Sequence, residues 1–230
     1  FTINLNQKYN TLLEASHNAI LETIKLMGCD VLINELSENI NEIVNSYELN
    51  CDGKTIPIKP IDNLCGHNIL PWKIHGDKTL YAQHTKSQEN QRICDGDVFA
   101  VEVFTSTGNG STYLDMDIKN HSHYMLKFDY QHRNIPLFTN KKTNDLSKII
   151  KDKFNTLAFC PRFIDYHKQQ KTHYTRNLCE LFNNNIIQSY PPLIETCNKN
   201  CNKNCKVAQY EHTIMIREEG NIVFTENPYY

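Results

Sequence analysis

The sequence lacks long apolar runs and an excess of charge of one sign. No stretch approaches the roughly 18 consecutive apolar residues that a membrane-spanning helix needs. The first ten residues, FTINLNQKYN, do not have the basic-then-apolar pattern of a signal peptide. Because 24 Lys and Arg are balanced by 26 Asp and Glu, the chain has no general electrostatic attraction for DNA or an anionic membrane.

Cysteine occurs without the paired spacing of a disulfide scaffold. The number of cysteines, nine, is odd, and we expect the scattered ones to be reduced thiols of a cytoplasmic protein. The segment CNKNCNKNC places Cys197, Cys201 and Cys205 four residues apart. This spacing matches neither zinc nor ferredoxin patterns, so it favours a low-complexity loop over a metal cluster.

The first half of the chain contains two helical patterns followed by strand patterns. Apolar residues at spacings of three and four predict helices over 9–27 and 36–47. The pair Asp52-Gly53 predicts a β-hairpin within YELNCDGKTIPIKPI. After a segment predicted as a loop, DNLCGHNILPWKIHGDK, the residues VFAVEVF over 98–104 are typical of a buried strand.

The second half returns to helices and ends in strands. Residues 146–166 and 174–182 look helical, with Asn144 or Asp145 as a cap and Pro161 as a break or a new first turn. Strand patterns over 207–217 and 221–226 predict a second hairpin. The predicted class is therefore α+β, an antiparallel sheet covered on one face by helices.

Two carboxylates interrupt apolar strand patterns. Glu102 lies within VFAVEVF, and Glu211 precedes Thr213-Ile214-Met215-Ile216. A buried carboxylate requires protonation, a basic partner or a cation. If neighbouring strands aim both at one point, they form an anionic hole for a divalent metal; if each faces solvent, they are ordinary surface residues. The residues alone favour neither alternative.

Histidines are available to complete such a site. His67 and His75 bracket GHNILPWKIHG, and their spacing brings them together only if the segment loops back. One could then bind metal while the other contacts substrate, since imidazole commonly joins carboxylates as a ligand. His123, in NHSHYM, is a third candidate. Other catalytic motifs, HExxH, GxSxG and the Walker phosphate loop, are missing from the sequence.

Together, the segments resemble the type 2 methionine aminopeptidases, metallopeptidases of the pita-bread fold. The resemblance is carried, in order, by KYNTLLEASHNAI, DGKTIPIKPIDNLCGHNI, KIHGDKT, GDVFAVEVFTSTGNG, SHYM, FNTLAFCPRF, YPPL and QYEHTI. It covers almost the whole chain. It implies that residues 125–192 form the helical insertion of the type 2 enzymes.

The resemblance also implies a set of site residues. His67 and Glu102 would bind one metal ion and Glu211 would bridge two ions, which would be Co, Mn, Zn or Fe. The catalytic residues would be Glu102, as ligand and proton shuttle, and His75, which bonds the substrate and supports the tetrahedral intermediate. The residues bordering the methionine pocket would be His75, Ile74, Phe104, His123, Ala158, Tyr190 and Leu193.

Part of the family's site has no counterpart in the sequence. Two aspartate ligands and a further histidine are expected upstream of Phe1, and Asp30, Asp52 and Asp62 do not match them. We therefore expect residues 1–230 to be an incomplete catalytic domain, its C-terminal part. Whether this chain alone is active stays open.

The function implied by the resemblance is removal of the initiator methionine from nascent proteins. The expected substrate is an N-terminal Met peptide. We expect a cytoplasmic monomer that binds neither DNA nor membrane, and association with the ribosome is a further hypothesis. The alternatives are a non-catalytic pita-bread module that binds protein or RNA, and a prolidase-like hydrolase of the same fold.

Overall fold

The structure is a computed structural model that describes residues 1–51, 53–117, 120–168, 174–197 and 205–226. The chain forms two compact units, one made of Phe1–Tyr113 with Ile194–Tyr230 and the other of Leu114–Leu193. Among the described residues, no helix combines the length and the apolar character required to cross a membrane.

Two helices open the first unit, as the apolar spacing predicts. Helix α1 is Asn10–Leu26 and helix α2 is Ile33–Asn45. Each buries one stripe of side chains and exposes the other face, because residues three and four apart share one side of a helix. The buried stripe of α1 contains Leu12, Ala15, Ala19 and Ile20, and that of α2 contains Ile33, Leu36, Ile40 and Val44.

A short hairpin follows the helices. Its strands are β1, Glu48–Cys51, and β2, Lys54–Pro57. Gly53 has a φ of +74°, which confirms the turn predicted from the Asp-Gly pair, since this backbone region favours glycine.

The main sheet of this unit is antiparallel. Its strands in chain order are β3, Lys59–Pro60; β4, Cys65–Ile69; β5, Thr79–Tyr81; β6, Val98–Ser106; β11, Val207–Met215; and β12, Ile222–Val223. The spatial order is β12-β11-β6-β4-β5, with β3 also paired to β6. Strands β11 and β12 form the predicted second hairpin.

Helices cover one face of this sheet. Phe99, Val101 and Val103 of β6 are buried in the same core as the apolar stripes of α1 and α2. The hydroxyl of Thr105 donates to the carbonyl oxygen of Leu12 at 3.0 Å, which fixes β6 against α1. Because side chains alternate along a strand, Glu102 lies on the opposite face.

The segment predicted as a loop, DNLCGHNILPWKIHGDK, contains strand β4, and in this respect the prediction was wrong. The three central residues of β4 are Gly66, His67 and Asn68, and all three are buried. Their partners come from β5 and β6, far along the chain, so the local pattern gives no sign of a strand. A Cβ on Gly66 would lie 2.6 Å from the Ala100 oxygen, which explains the glycine.

Among the described residues of the second unit are a strand pair and three α-helices. Strands β8, His123–Leu126, and β9, Ile187–Tyr190, are antiparallel partners. The helices are α3, Lys141–Ile149; α4, Pro161–Lys168; and α5, Thr175–Asn183. Leu126, Leu146, Phe159 and Leu181 are buried in its core. A separate two-stranded sheet is formed by β7, Thr112–Leu114, and β10, Leu193–Glu195.

The region predicted to be helical over 146–166 forms two helices separated by a short non-helical segment. Helix α3 begins earlier, because Asn140 rather than Asn144 or Asp145 is its cap and accepts a bond from the Lys142 amide. The helix widens into a π-helical turn, Ile150–Phe154, and ends at Asn155, whose φ is +48°. Pro161 starts α4, the second of the two roles predicted for it.

The expectation of reduced thiols for the six scattered cysteines is confirmed, and a disulfide occurs in the segment that was set apart as a low-complexity loop. Cys29, Cys51, Cys65, Cys94, Cys160 and Cys179 are free. Cys197 and Cys205 are joined by a disulfide, with their Cα atoms 5.9 Å apart. The sequence did not predict this disulfide, because a regular four-residue spacing of cysteines does not indicate which of them pair. Cys201 lies outside the described residues.

Candidate metal centre

Strands β6 and β11 bring two carboxylates to the same point of the sheet. Glu102 and Glu211 are direct partners in the antiparallel register. The side chain of Glu102 is only 17% exposed. Glu211 is an exposed residue overall, but its carboxyl group is partly buried among its neighbours. Like charges directly opposite each other destabilise a sheet unless a positive charge lies between them. Both carboxylates therefore lie on one face of the sheet, as the shared anionic site requires, and their role as metal ligands stays a prediction.

His67 extends this site onto the next strand. It is a partner of Ala100 in β6, is 5% exposed, and places its Nε2 at 3.4 Å from Oε1 of Glu102. Its Nδ1 lies 3.2 Å from the carbonyl oxygen of Asn68. We assign a proton to Nδ1, which donates to that oxygen, so that Nε2 is the ring nitrogen that faces Glu102. Histidine ligands of metals are commonly held in this way.

His75 packs against His67. The centroids of the two rings are 4.2 Å apart, with 56° between their planes. The segment between them folds back through a tight turn in which Leu70 and Lys73 exchange backbone hydrogen bonds. The segment therefore loops back, which is the condition that the sequence analysis set for bringing His67 and His75 together.

The charges of the site shift the pKa values of its members. Burial raises the pKa of Glu211, the charge of Glu102 raises it further, and a bond from Gln209 opposes both. Burial alone would lower the pKa of His67. Its bond to Glu102, its bond to the Asn68 backbone and the charges of the two carboxylates outweigh burial, so the pKa of His67 is raised. Burial and the neighbouring His67 lower the pKa of His75.

The donor set fits a divalent cation. One imidazole nitrogen that becomes a ligand when it is deprotonated and two mutually repelling carboxylates form a set that such ions take readily. In the described residues, no three donors are already spaced as a ligand cluster. The Nε2 of Gln209 donates to Oε2 of Glu211 at 3.0 Å.

The structure places the predicted pocket residues in both units. Ile74 and Phe104 are half-buried in the first unit. In the second unit, His123 and Tyr190 are direct partners across β8 and β9, and Ala158 precedes Phe159, which bridges Tyr124 of β8. Leu193 begins β10 and is exposed. Their roles in binding substrate stay predictions.

Two residues of the site were missed by sequence reasoning. Gln209 lies two residues before Glu211 and so on the same face of β11, a relationship that alternation makes visible. Asn68 is 2% exposed and contacts both sides of the turn between the two histidines. Its position directly after His67 gave no indication of this, because its partners are set by the fold of the turn.

The sheet, its helical cover and the His67–Glu102–Glu211 face define a member of the pita-bread class. Solved structures support this fold: a thermophilic Arx1 superposes with a TM-score of 0.66 at 14% identity, covering 97% of this chain and 58% of that one. The methionine aminopeptidase of Rickettsia prowazekii gives a TM-score of 0.52 at 12% identity, covering 97% and 54%. The predicted α+β pita-bread fold is confirmed.

The chain also has sequence relatives among named proteins. The chain is 41% identical to methionine aminopeptidase 2-1 of Fusarium vanettenii and 40% identical to methionine aminopeptidase 2 of Podospora anserina, each over 94% of its length. It is homologous to the type 2 methionine aminopeptidases, which confirms the resemblance. The chain spans 45% of the length of these two relatives. No family model matches the chain.

Proposed function

We propose that this chain supplies catalytic residues of a metalloaminopeptidase that removes the initiator methionine from nascent proteins. The observation that carries the proposal is the convergence of His67, Glu102 and Glu211 on one face of the sheet, with His75 packed on His67. The sequence relatives named methionine aminopeptidase 2 support the same conclusion.

His67, Glu102 and Glu211 would hold the metal, as two divalent ions of Co, Mn, Zn or Fe. When bound, such ions polarise a carbonyl group and lower the pKa of water, which is the chemistry that peptide hydrolysis requires. The protein prepares the ligands beforehand, because the Asn68 carbonyl keeps the Nδ1 proton of His67 away from the site.

Glu102 and His75 would move and stabilise charge during the reaction. Glu102 would accept a proton from the attacking water and return it to the leaving amine, since its half-buried carboxylate is already oriented by His67. His75 has a lowered pKa and is therefore readily neutral. As a neutral imidazole it can donate one N–H to the substrate carbonyl oxygen while negative charge develops there.

The substrate side chain would be a methionine. An unbranched thioether fits a narrow and largely apolar slot. Two apolar residues of the first unit would border this slot. Ile74 is one residue before His75, and Phe104 is two residues after Glu102. We further propose a cytoplasmic monomer that acts on nascent chains, associates with ribosomes and binds neither DNA nor membrane.

A non-catalytic binding module and a prolidase-like hydrolase are the alternatives. Retention of both carboxylates and both histidines argues against a binding module, which has no need of them. The test is release of Met from a Met-Ala-Ser peptide by the intact protein. We expect chelator, His67→Ala and Glu211→Gln each to abolish release. Release that survives all three would disprove the mechanism. Hydrolysis of an Xaa-Pro dipeptide to its two amino acids, without release of Met from Met-Ala-Ser, would favour the prolidase-like alternative.

A further inference from the structure

We propose that Asn68 is a positioning residue that holds His75 against His67. The inference concerns the proposed active site and rests on the proposed function for its purpose. The geometry that carries it involves only this chain's own residues, so it can be tested without activity.

Asn68 is bonded through every polar group it has. Its side-chain oxygen accepts from the Lys78 amide at 2.9 Å, and its side-chain nitrogen donates to Oδ1 of Asp77 at 3.3 Å. Its backbone amide donates to the Lys78 carbonyl at 2.9 Å. Its own carbonyl oxygen accepts from the Gly76 amide at 2.8 Å and from Nδ1 of His67 at 3.2 Å.

These bonds tie together the two ends of the turn. One end is strand β4, which carries His67, and the other is the segment Gly76–Lys78, which directly follows His75. The side chain of Asn68 therefore fixes the segment that sets the position of His75. It is 2% exposed, so water does not compete effectively for its bonds.

Gly76 shows how closely the segment is packed on Asn68. A Cβ at Gly76 would lie 2.0 Å from Oδ1 of Asn68 and 2.5 Å from its Cγ. Gly76 is not among the residues with positive φ, so its backbone would accept alanine. The glycine is therefore explained by the Asn68 side chain, and any side chain at 76 would displace it.

The segment is also anchored to the strand that carries Glu102. Nζ of Lys78 donates to Oδ2 of Asp97 at 2.6 Å, and Asp97 directly precedes β6. Asn68 thus links the position of His75 both to His67 and to the start of β6. Such a residue would act through His75 and would not touch substrate.

The test is the nuclear Overhauser effect between the ring protons of His67 and His75 in the metal-free intact protein. We expect it in the wild type. We expect its loss in Asn68→Ala and in Gly76→Ala. The matched control is Asn34→Ala, which removes another buried asparagine, one that bonds Thr85 and His84, and should retain the effect.

A double-mutant cycle gives an independent readout. Gly76→Ala should lower the thermal unfolding midpoint in the wild type and leave it nearly unchanged in the Asn68→Ala background, where the clashing side chain is gone. The inference is overturned if the ring–ring effect persists in Asn68→Ala, if Asn34→Ala loses it equally, or if the two substitutions are additive. Failure of peptidase activity with an intact ring–ring effect would instead refute the proposed function.

Discussion

Glu102 and Glu211 lie directly opposite each other on two neighbouring antiparallel strands, β6 and β11. Two carboxylates in this arrangement repel each other, and the raised pKa of Glu211 reflects its burial and this repulsion. Without a cation between them, these two carboxylates therefore lower the stability of the fold. Unfavourable local interactions of this kind are typical of functional sites.

The first prediction is that Glu211→Gln stabilises the metal-free protein. Removing one of two opposed charges should raise the free energy of unfolding by about 0.2–1 kcal/mol. Urea unfolding of the intact protein in excess chelator measures this. The control is Glu48→Gln, because Glu48 is an exposed strand residue opposite Pro57 and has no opposed charge in the register. A loss of stability in Glu211→Gln would contradict the repulsion.

The second prediction concerns Gly66, which precedes His67. A Cβ there would lie 2.6 Å from the Ala100 oxygen and 3.0 Å from the Glu102 nitrogen, both of them backbone atoms of β6. Gly66→Ala should cost about 1–3 kcal/mol of stability, because β4 and β6 must separate. Thermal or urea unfolding would reveal the loss.

Gly28→Ala is the matched control for that substitution. A Cβ at Gly28 meets nothing closer than Cγ2 of Val31 at 3.9 Å, and Gly28 is not among the residues with positive φ. Its stability should change by less than about 0.5 kcal/mol. Equal effects of the two substitutions would refute the close approach of β4 to β6.

The third prediction concerns the ion pair between Lys78 and Asp97. Both side chains are 17% exposed, and Oδ2 of Asp97 also accepts from the Cys94 amide. Asp97→Asn should lower the free energy of unfolding by about 1–2 kcal/mol, as expected for hydrogen bonds to a largely buried charge. By contrast, Glu22→Gln, which breaks the exposed pair with Lys25, should cost less than about 0.5 kcal/mol.

The same pair predicts a pH dependence. Burial lowers the pKa of Lys78, but its bond to Asp97 and the charge of Asp97 outweigh burial, with help from Cys94, so the pKa is raised above 10.5. The folded protein then holds this proton more tightly than the unfolded chain does. The stabilisation is complete below pH 10.5 and is lost as the pH rises through the folded value. Asp97→Asn should remove this alkaline dependence, which unfolding curves between neutral and alkaline pH would show.

The chemistry of the site could be predicted better than its geometry. Glu102 and Glu211 are conspicuous because a carboxylate within an apolar strand needs a partner. Their mutual register, however, depends on pairing between strands that are more than 100 positions apart, which no local pattern encodes. The contact of His67 with Glu102 depends on a third strand in the same way.

Local patterns predicted the elements whose stability is local. The helices α1 and α2 follow from their apolar stripes, and the first hairpin follows from a turn that favours glycine. Strand β4 was missed because Gly66, His67 and Asn68 have no strand propensity and are buried by neighbouring strands. The start of α3 was misplaced because Asn140, Asn144 and Asp145 are all suitable caps by residue type.

The most direct test of the metal centre is calorimetric titration of the metal-free intact protein with Mn²⁺ and with Co²⁺. We predict saturable binding to the wild type and to His84→Ala, a control histidine that contacts Asn34. His67→Ala and Glu211→Gln should each weaken binding on the order of 100-fold or more, as loss of a ligand requires. Wild-type affinity in both of these variants would contradict the assignment of His67, Glu102 and Glu211 as the metal ligands.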